Sequence, residues 1–449
     1  MSNLNRSLSA RAFHLQICIV LFIFMSAACS KIDWRRGNPK ADDYPADVAI
    51  AWMNMQLRLT KGSPGFNSIV ANRSYAYVGL SLYESIAPGI PGCQSIASQL
   101  QGGLVLHAKE HGKDYYWPAS ANAALAYISK KIFANAPAPL ISAIDSLEHA
   151  FNEKFMHKAK PGELERSRLF GKKIAETIFN WSKSDGGHEA YIHLTDDSYQ
   201  PPTGAGKWVP TAPAFGKPFH PHWGTNRSFL PQLLLKAQAA PPPAYSEKQS
   251  SDFYKAANHV YLTSTHLSAE DSVMVRFWAD LPANYNVPAH ATNILTQLIQ
   301  MKKLSLPEAA ILYCKHGIAG NESLIVCFAS KYKYNLVRPI TYIRNVIGKP
   351  TWNPVIPSPP FPEYTSAHAV VSTAFATVLE EHFGKKFSFT DNTYQGLYPA
   401  RTFKSFEHYA EEAATSRVYG GIHYAFAATE GMKQGRIVGK EVNRLKFKK

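Results

Sequence analysis

The chain has 449 residues, 45% of them hydrophobic and only 18% charged, so it can bury a large core and has room for two lobes. Its net charge of +15 would point to nucleic acid if the basic residues were concentrated. No RNA- or DNA-binding motif accompanies that charge, which leaves a basic surface with an anion pocket and excludes nucleic acid as a partner.

The first residues read as an export signal. Arg6 and Arg11 form a charged start, Leu15 to Met25 is almost wholly apolar, and Ser26-Ala27-Ala28-Cys29 supplies the small residues that a signal peptidase needs. The apolar run is too short to anchor the chain permanently in a bilayer. Because it ends on a cysteine it resembles a bacterial lipoprotein signal, with Ser26 where Leu is usual. The expectation is a signal peptide over 1–28, lipid attachment at Cys29, and export to the cell envelope as a membrane-anchored lipoprotein. Cys93, Cys314 and Cys327 then remain. Three is an odd number without a Cys-x-x-Cys pair, so neither a disulfide framework nor a cysteine zinc site is indicated.

Past the signal, apolar residues recur at helical spacing over Asp47 to Leu59, Ile69 to Ile86, Ala121 to Ile132, Pro139 to Lys158 and Glu163 to Ser184. A segment rich in Pro, Gly and aromatics follows from about 185 to 243. Trp181, Tyr191, Tyr199, Trp208, Phe215, Phe219 and Trp223 mark it as an ordered loop packed over the helices. Helical patterns resume near Ser246 and run to Lys449, broken at Ile340 to Thr365 and around Phe387 to Thr402. The fold class is therefore all-α and two-lobed, with an N-terminal helical region over 29–245 and a second helical domain over 246–449.

Three stretches of that second domain carry chemistry: Lys331 to Arg338-Pro339, Thr365-Ser366-Ala367-His368, and Ser416-Arg417 to His423. Together they bring three fixed cations, a hydroxyl and two imidazoles, enough to hold a tetrahedral oxyanion. Lys331 and Arg338 are seven apart, only about 20° out of register on a helix, so both heads can reach one side, and Pro339 discourages the helix from passing through Arg338. Thr365 and Ser366 are natural N-caps for the apolar run that follows, which sets Ser366 and His368 at a helix N-terminus, where free N–H groups attract an anion. Arg417 and His423 would diverge on one unbroken helix. Gly420-Gly421 allows a break there and lets His423 open a new helix.

This ordered set resembles the phosphate-handling signature of the type 2 phosphatidic acid phosphatase superfamily, with Ala367 standing where that family usually has Gly. Within it, Gly206-Lys207-Trp208-Val209-Pro210-Thr211, Phe277-Trp278-Ala279-Asp280 and Pro359-Pro360-Phe361-Pro362-Glu363-Tyr364 resemble the bacterial proteins related to vanadium-dependent haloperoxidases. The resemblance implies an enzyme with vanadate as cofactor, or phosphate in the same site. Lys331, Arg338 and Arg417 would neutralise the anion's oxygens, while Ser366 and Ala367 would contact it from the helix start. His423 would bond the central vanadium, and His368 would be the acid–base residue, poised because an imidazole titrates near neutral pH. Asp280 would hold Arg417 or orient a neighbour, or else be the acid that ends a helix. Phe361 stands where fungal chloroperoxidases have Phe, and Phe328 where they have Trp, so both bear on the halide site.

Two chemistries fit such a cradle. One is a peroxidase that oxidises halide with hydrogen peroxide. The other is a phosphatase in which His423 attacks a phosphate ester and His368 protonates the leaving alcohol. A non-catalytic envelope lipoprotein is the third reading. Ala367 bears on it: a φ above zero there would cost on the order of 1 kcal/mol or more, whereas an ordinary first helical position would cost nothing.

Overall fold

The computed structural model describes residues 40–280 and 285–449; the expected signal peptide over 1–28 and Cys29 lie outside the described residues. The fold is all-α, and residues 40–449 form one compact unit. No helix among the described residues is long and apolar enough to cross a membrane.

The first helices are α1 (Asp47–Gly62), α2 (Ser68–Ile86), α3 (Trp117–Ile132), α4 (Ala138–Met156) and α5 (Pro161–Ser182). Asn67 starts α2 by accepting the N–H groups of Ile69 and Val70 on its Oδ1. Every residue from Ile69 to Ile86 is buried, as expected of a helix with no wide polar face. Its main partner is α10 (Leu306–Tyr334), a helix of 29 residues opened by a Ser305/Glu308 capping box.

The 185–243 segment is an ordered loop holding only a short 3-10 turn at Trp223–Thr225 and the one-turn helix α6 (Leu233–Lys236). Trp208 and Trp223 are buried, but Phe215 is 65% exposed, so not every aromatic there packs inward. The loop's Gly-x-Trp-x-Pro-Thr stretch is tied to the end of α10. Trp208 N–H donates to the Asn335 carbonyl at 2.8 Å, and Val337 N–H donates to that of Gly206 at 2.9 Å.

Helices α7 (Asp252–Thr265), α8 (Ala269–Phe277), α9 (Val287–Lys302), α11 (Pro339–Asn345), α12 (Ala367–Phe383), α13 (Phe406–Tyr419) and α14 (Ala425–Asn443) complete the C-terminal half. The expected break at 340–365 thus contains a helix of seven residues. The second break holds a hairpin, β1 (Phe389–Asp391) antiparallel to β2 (Arg401–Phe403), with Asp391 opposite Arg401. The start of α12 is fixed by α14. A Cβ on Gly435 would lie 2.2 Å from the Val370 carbonyl, so the two backbones touch where only Gly fits.

Candidate functional site

Lys331 and Arg338 do not share a helix. Asn335 caps α10 in the left-handed region at φ 48°, and Arg338 becomes the N-cap of α11 with Pro339 at its first position. The two heads converge nonetheless, because both reach the same strip of chain. Lys331 Nζ donates to the carbonyls of Pro362 (3.0 Å), Glu363 (2.9 Å) and Thr365 (2.6 Å). Arg338 Nε donates to the Phe361 carbonyl at 3.0 Å and its Nη1 to that of Ile422 at 3.0 Å. The Phe361 ring lies beneath both cations, 5.0 Å from Lys331 Nζ and 5.1 Å from the Arg338 guanidinium.

An ammonium has three donors, and all three meet backbone carbonyls, so Lys331 fixes the 362–365 strip and offers the site its charge rather than a spare hydrogen bond. Burial brings it down to about 8 and brings Arg338 and Arg417 down to about 10.

Gly420 and Gly421 break the chain after α13, with Gly421 at φ 80°. His423 lies in the connector and Tyr424 is the N-cap of α14, so His423 precedes the new helix instead of opening it. Its Nδ1 is 2.8 Å from Glu363 Oε1, which also accepts the Tyr424 N–H at 3.0 Å. Its Nε2 is 3.4 Å from Arg338 Nη1. A guanidinium only donates, so the proton sits on Nδ1 facing Glu363 and Nε2 carries the lone pair. Burial, and then the charges of Arg338, Lys331 and Arg417, push this imidazole well below its usual range and keep it neutral. Glu363 is itself fully buried; burial raises it to about 7 against the pull of Arg338 and Lys331.

At the head of α12, Ser366 is the N-cap and Ala367 the first helical residue, with no positive φ at Ala367. Ala therefore fits where Gly was expected. Ser366 Oγ makes no capping bond and is buried without a partner, as is Arg417 Nε. Arg417 Nη1 donates to the Trp278 carbonyl at 2.7 Å. Two unpartnered buried donors, an uncapped helix start and an imidazole nitrogen without a proton are what an anion pocket requires.

His368, the second residue of α12, hangs on Asp280, its Nε2 lying 3.3 Å from Oδ2. Asp280 therefore orients a neighbour, and that neighbour is His368; Arg417 takes the Trp278 carbonyl instead. A carboxylate only accepts, so Nε2 carries the His368 proton and Nδ1 is left basic. The neutral-pH poise expected of a lone imidazole is displaced. Burial and the Arg417 charge lower His368 to about 4, and Asp280 offsets them only in part.

Behind Asp280 stand residues that carried no sequence signal. Its Oδ1 accepts from His290 Nδ1 at 2.9 Å and from the Tyr394 hydroxyl at 2.7 Å, and His290 Nε2 lies 2.8 Å from Asp391 Oδ2. His290 was hidden among the apolar residues of α9, and Asp391 in the short hairpin. Glu363 was more legible, being a lone acid inside the Pro- and aromatic-rich run before Ser366.

A cavity of about 470 Å³ opens onto His368, Arg417 and His423. Phe328 and Phe361 both line it, with ring centroids 5.3 Å apart, so the two aromatic positions singled out in the sequence meet at the site. The far wall comes from the start of α2 and the loop before it, including Phe66, Asn67 and Ile69.

Residues 311–448 match a family model described as the VCPO second helical-bundle domain. No curated protein matches the chain. Among solved structures, the one described as the first bacterial vanadium-dependent iodoperoxidase is 32% identical, covers 89% of this chain and 96% of its own, and superposes with a TM-score of 0.79. A bacterial vanadium-dependent chloroperoxidase in its holo form is 16% identical over 88% of this chain and 93% of its own, with a TM-score of 0.62. The apo form of a bacterial vanadium-dependent chloroperoxidase is 15% identical over 86% and 98%, with a TM-score of 0.64; at such identity these two speak to fold alone.

Proposed function

The chain belongs to the vanadium-dependent haloperoxidase family, and we propose on that premise that it oxidises halide with hydrogen peroxide at the pocket between His423, Arg417 and the head of α12. The observation that carries this reading is the pair of buried, unpartnered donors, Ser366 Oγ and Arg417 Nε, together with a His423 whose Nε2 carries no proton. A bare metal cation would be repelled by such a donor set; an oxyanion with a central atom able to accept an imidazole nitrogen fits it.

Vanadate would be held by His423 Nε2 at the metal, by Ser366, Arg417 and the free N–H groups of Ala367 and His368 at its oxygens, and by the field of Lys331 and Arg338. Bound there, it would supply Lewis-acid activation of hydrogen peroxide toward halide. The residues do the rest. Glu363 keeps the His423 proton on Nδ1 so that Nε2 stays available. Lys331 and Arg338 hold the 359–365 strip still. His368, which lines the pocket, would take up or return a proton at Nδ1, while Asp280 steadies its Nε2–H.

For the halide we propose iodide first, since it is the most easily oxidised and the structure sharing 32% identity is described as an iodoperoxidase. The test is to purify the chain without its signal, add orthovanadate, and follow peroxide-dependent oxidation of iodide, bromide and chloride beside hydrolysis of p-nitrophenyl phosphate. Vanadate-dependent oxidation with iodide fastest is the expected result. Hydrolysis without oxidation would turn the reading to the phosphatase alternative, which the free Nε2 of His423 also serves as a nucleophile.

Export and lipid attachment at Cys29 belong to the same proposal, carried by the signal-like sequence before it. A Cys29→Ala chain that is processed and membrane-associated like wild type would remove the lipid from it.

A further inference from the structure

The acid–base residue of the proposed reaction is held through a ladder of ionisable side chains: Asp391, His290, Asp280, His368. Its contacts are 2.8 Å between Asp391 Oδ2 and His290 Nε2, 2.9 Å between His290 Nδ1 and Asp280 Oδ1, and 3.3 Å between Asp280 Oδ2 and His368 Nε2. Both ring nitrogens of His290 face carboxylate oxygens. Carboxylates only accept, so both nitrogens carry protons and the ring is an imidazolium. The ring is enclosed by aromatics, with the Phe277, Trp278 and Tyr394 centroids 5.3, 5.1 and 4.9 Å away. It is 1% exposed, as is Asp280, and Asp391 is fully buried.

Burial of this kind is costly unless every charge is met. It is met here. Asp391 is held by the Thr393 N–H at 2.8 Å and by His290, and Asp280 by His290, Tyr394 and His368. Among the described residues His290 is the one cation that hydrogen-bonds Asp280, with the Arg417 charge acting on the same carboxylate without a hydrogen bond, so His290 is the main support for Asp280 as a carboxylate in this interior. Burial would lower the ring, but the two aspartates carry it up to about 10, in keeping with that geometry.

We propose that His290 is a positioning residue for the acid–base step: clamped as an imidazolium between Asp391 and Asp280, it fixes the carboxylate that orients His368 and keeps the His368 proton on Nε2, so that Nδ1 faces the reaction. The proposal rests on the reading of His368 as the acid–base group. It adds a function for His290 and Asp391, neither of which touches the cavity.

The variants His290→Gln and Asp391→Asn test it, each alone and combined with His368→Ala. In His290→Gln, kcat falls about ten- to hundredfold, the usual scale for a lost outer partner, while KM for halide and peroxide and the vanadate affinity read by titration calorimetry stay within threefold. In the His368→Ala background the same substitution produces no further loss, because the residue through which it acts is gone. Asp391→Asn lowers kcat in the same way and less. Losses in kcat and vanadate affinity that persist undiminished without His368 would make His290 merely structural and overturn the proposal, as would a His290→Gln enzyme with wild-type kcat.

A readout independent of activity, and of whether the variants fold, is the nitrogen-15 spectrum of wild-type protein without vanadate. The His290 ring is expected to show two protonated nitrogens at pH 7 and His368 one; a neutral His290 ring overturns the proposal. A wild-type chain that fails to oxidise halide sinks the functional reading itself, whereas an active wild type with unaffected variants sinks only the role of His290.

Discussion

The two imidazoles of the site are supported in different ways. His423 rests on a strip of main chain: Lys331 and Arg338 hold the carbonyls of residues 361, 362, 363, 365 and 422, and Glu363 within that strip holds the ring. His368 rests on side chains alone, in the ladder through Asp280 and His290 to Asp391. A support built on backbone carbonyls is shape, and its charges stay positive toward the pocket, which suits anion binding. A support built on paired carboxylates and an imidazolium controls where protons sit, which suits proton transfer. The difference predicts that damage on the His423 side appears in affinity and damage on the His368 side in turnover.

The largest effect should come from His423→Ala, which would remove the proposed bond to the central atom. Vanadate binding by calorimetry should become undetectable, with oxidation lost too; retained tight binding would erase the division between the two sides. Next is His368→Ala, which should lower kcat by about 10² to 10⁴, the range of a lost general acid–base, and leave vanadate affinity within a few-fold. If its affinity fell as far as that of His423→Ala, the two supports would be one. Arg417→Ala follows, with vanadate and phosphate both bound more weakly by about 2 to 5 kcal/mol, as for a truncated buried charge partner; unchanged affinity would take Arg417 out of the pocket.

The smallest effect is on stability of the vanadate-free protein, and the two kinds of imidazole give it opposite signs. His368 is lowered to about 4 from an ordinary 6.5, so its contribution is complete above 6.5 and is lost as pH falls toward 4, where the unfolded chain binds the extra proton. Burial lowers His220 and His316 as well, to about 4 and about 3, and they act in the same direction. His290 is raised to about 10, so its contribution is complete below 6.5 and is lost as pH rises through 10. Melting temperature should therefore fall on both sides of a maximum near neutrality, and His290→Gln should flatten the alkaline side only. An unchanged alkaline limb in that variant would show that the ring is not charged in the fold.

Much of this was legible from the chain alone. The apolar period of 3.6 reports which residues share a helix face, so the helices from Asp47 to Ser182 stand within a few residues of their expected bounds. The cation, Ser-x-His and Arg-to-His stretches lie each within a few turns of chain, and their types alone announced an anion. Even so, local spacing misled at Lys331 and Arg338. Helical register gave both heads one side, with Pro339 stopping the helix at Arg338, but Asn335 in the left-handed region ends the helix earlier and the heads meet through the 359–365 strip instead.

What only the tertiary structure decided is the His368 side and the use made of Lys331. His368 and Asp280 are 88 residues apart, and His290 and Asp391 are 101 apart. Periodicity carries no information across such separations, because which segments meet is set by the packing of α9, α12 and the hairpin against one another. A histidine in an apolar helix looks the same in sequence whether it is a neutral core residue, as at His316, or an imidazolium between two carboxylates, as at His290. The chain determined which groups could hold an oxyanion; the packing determined how many of their hydrogen-bond donors were left free to do so, since each donor already bonded to a carbonyl is one the anion cannot have.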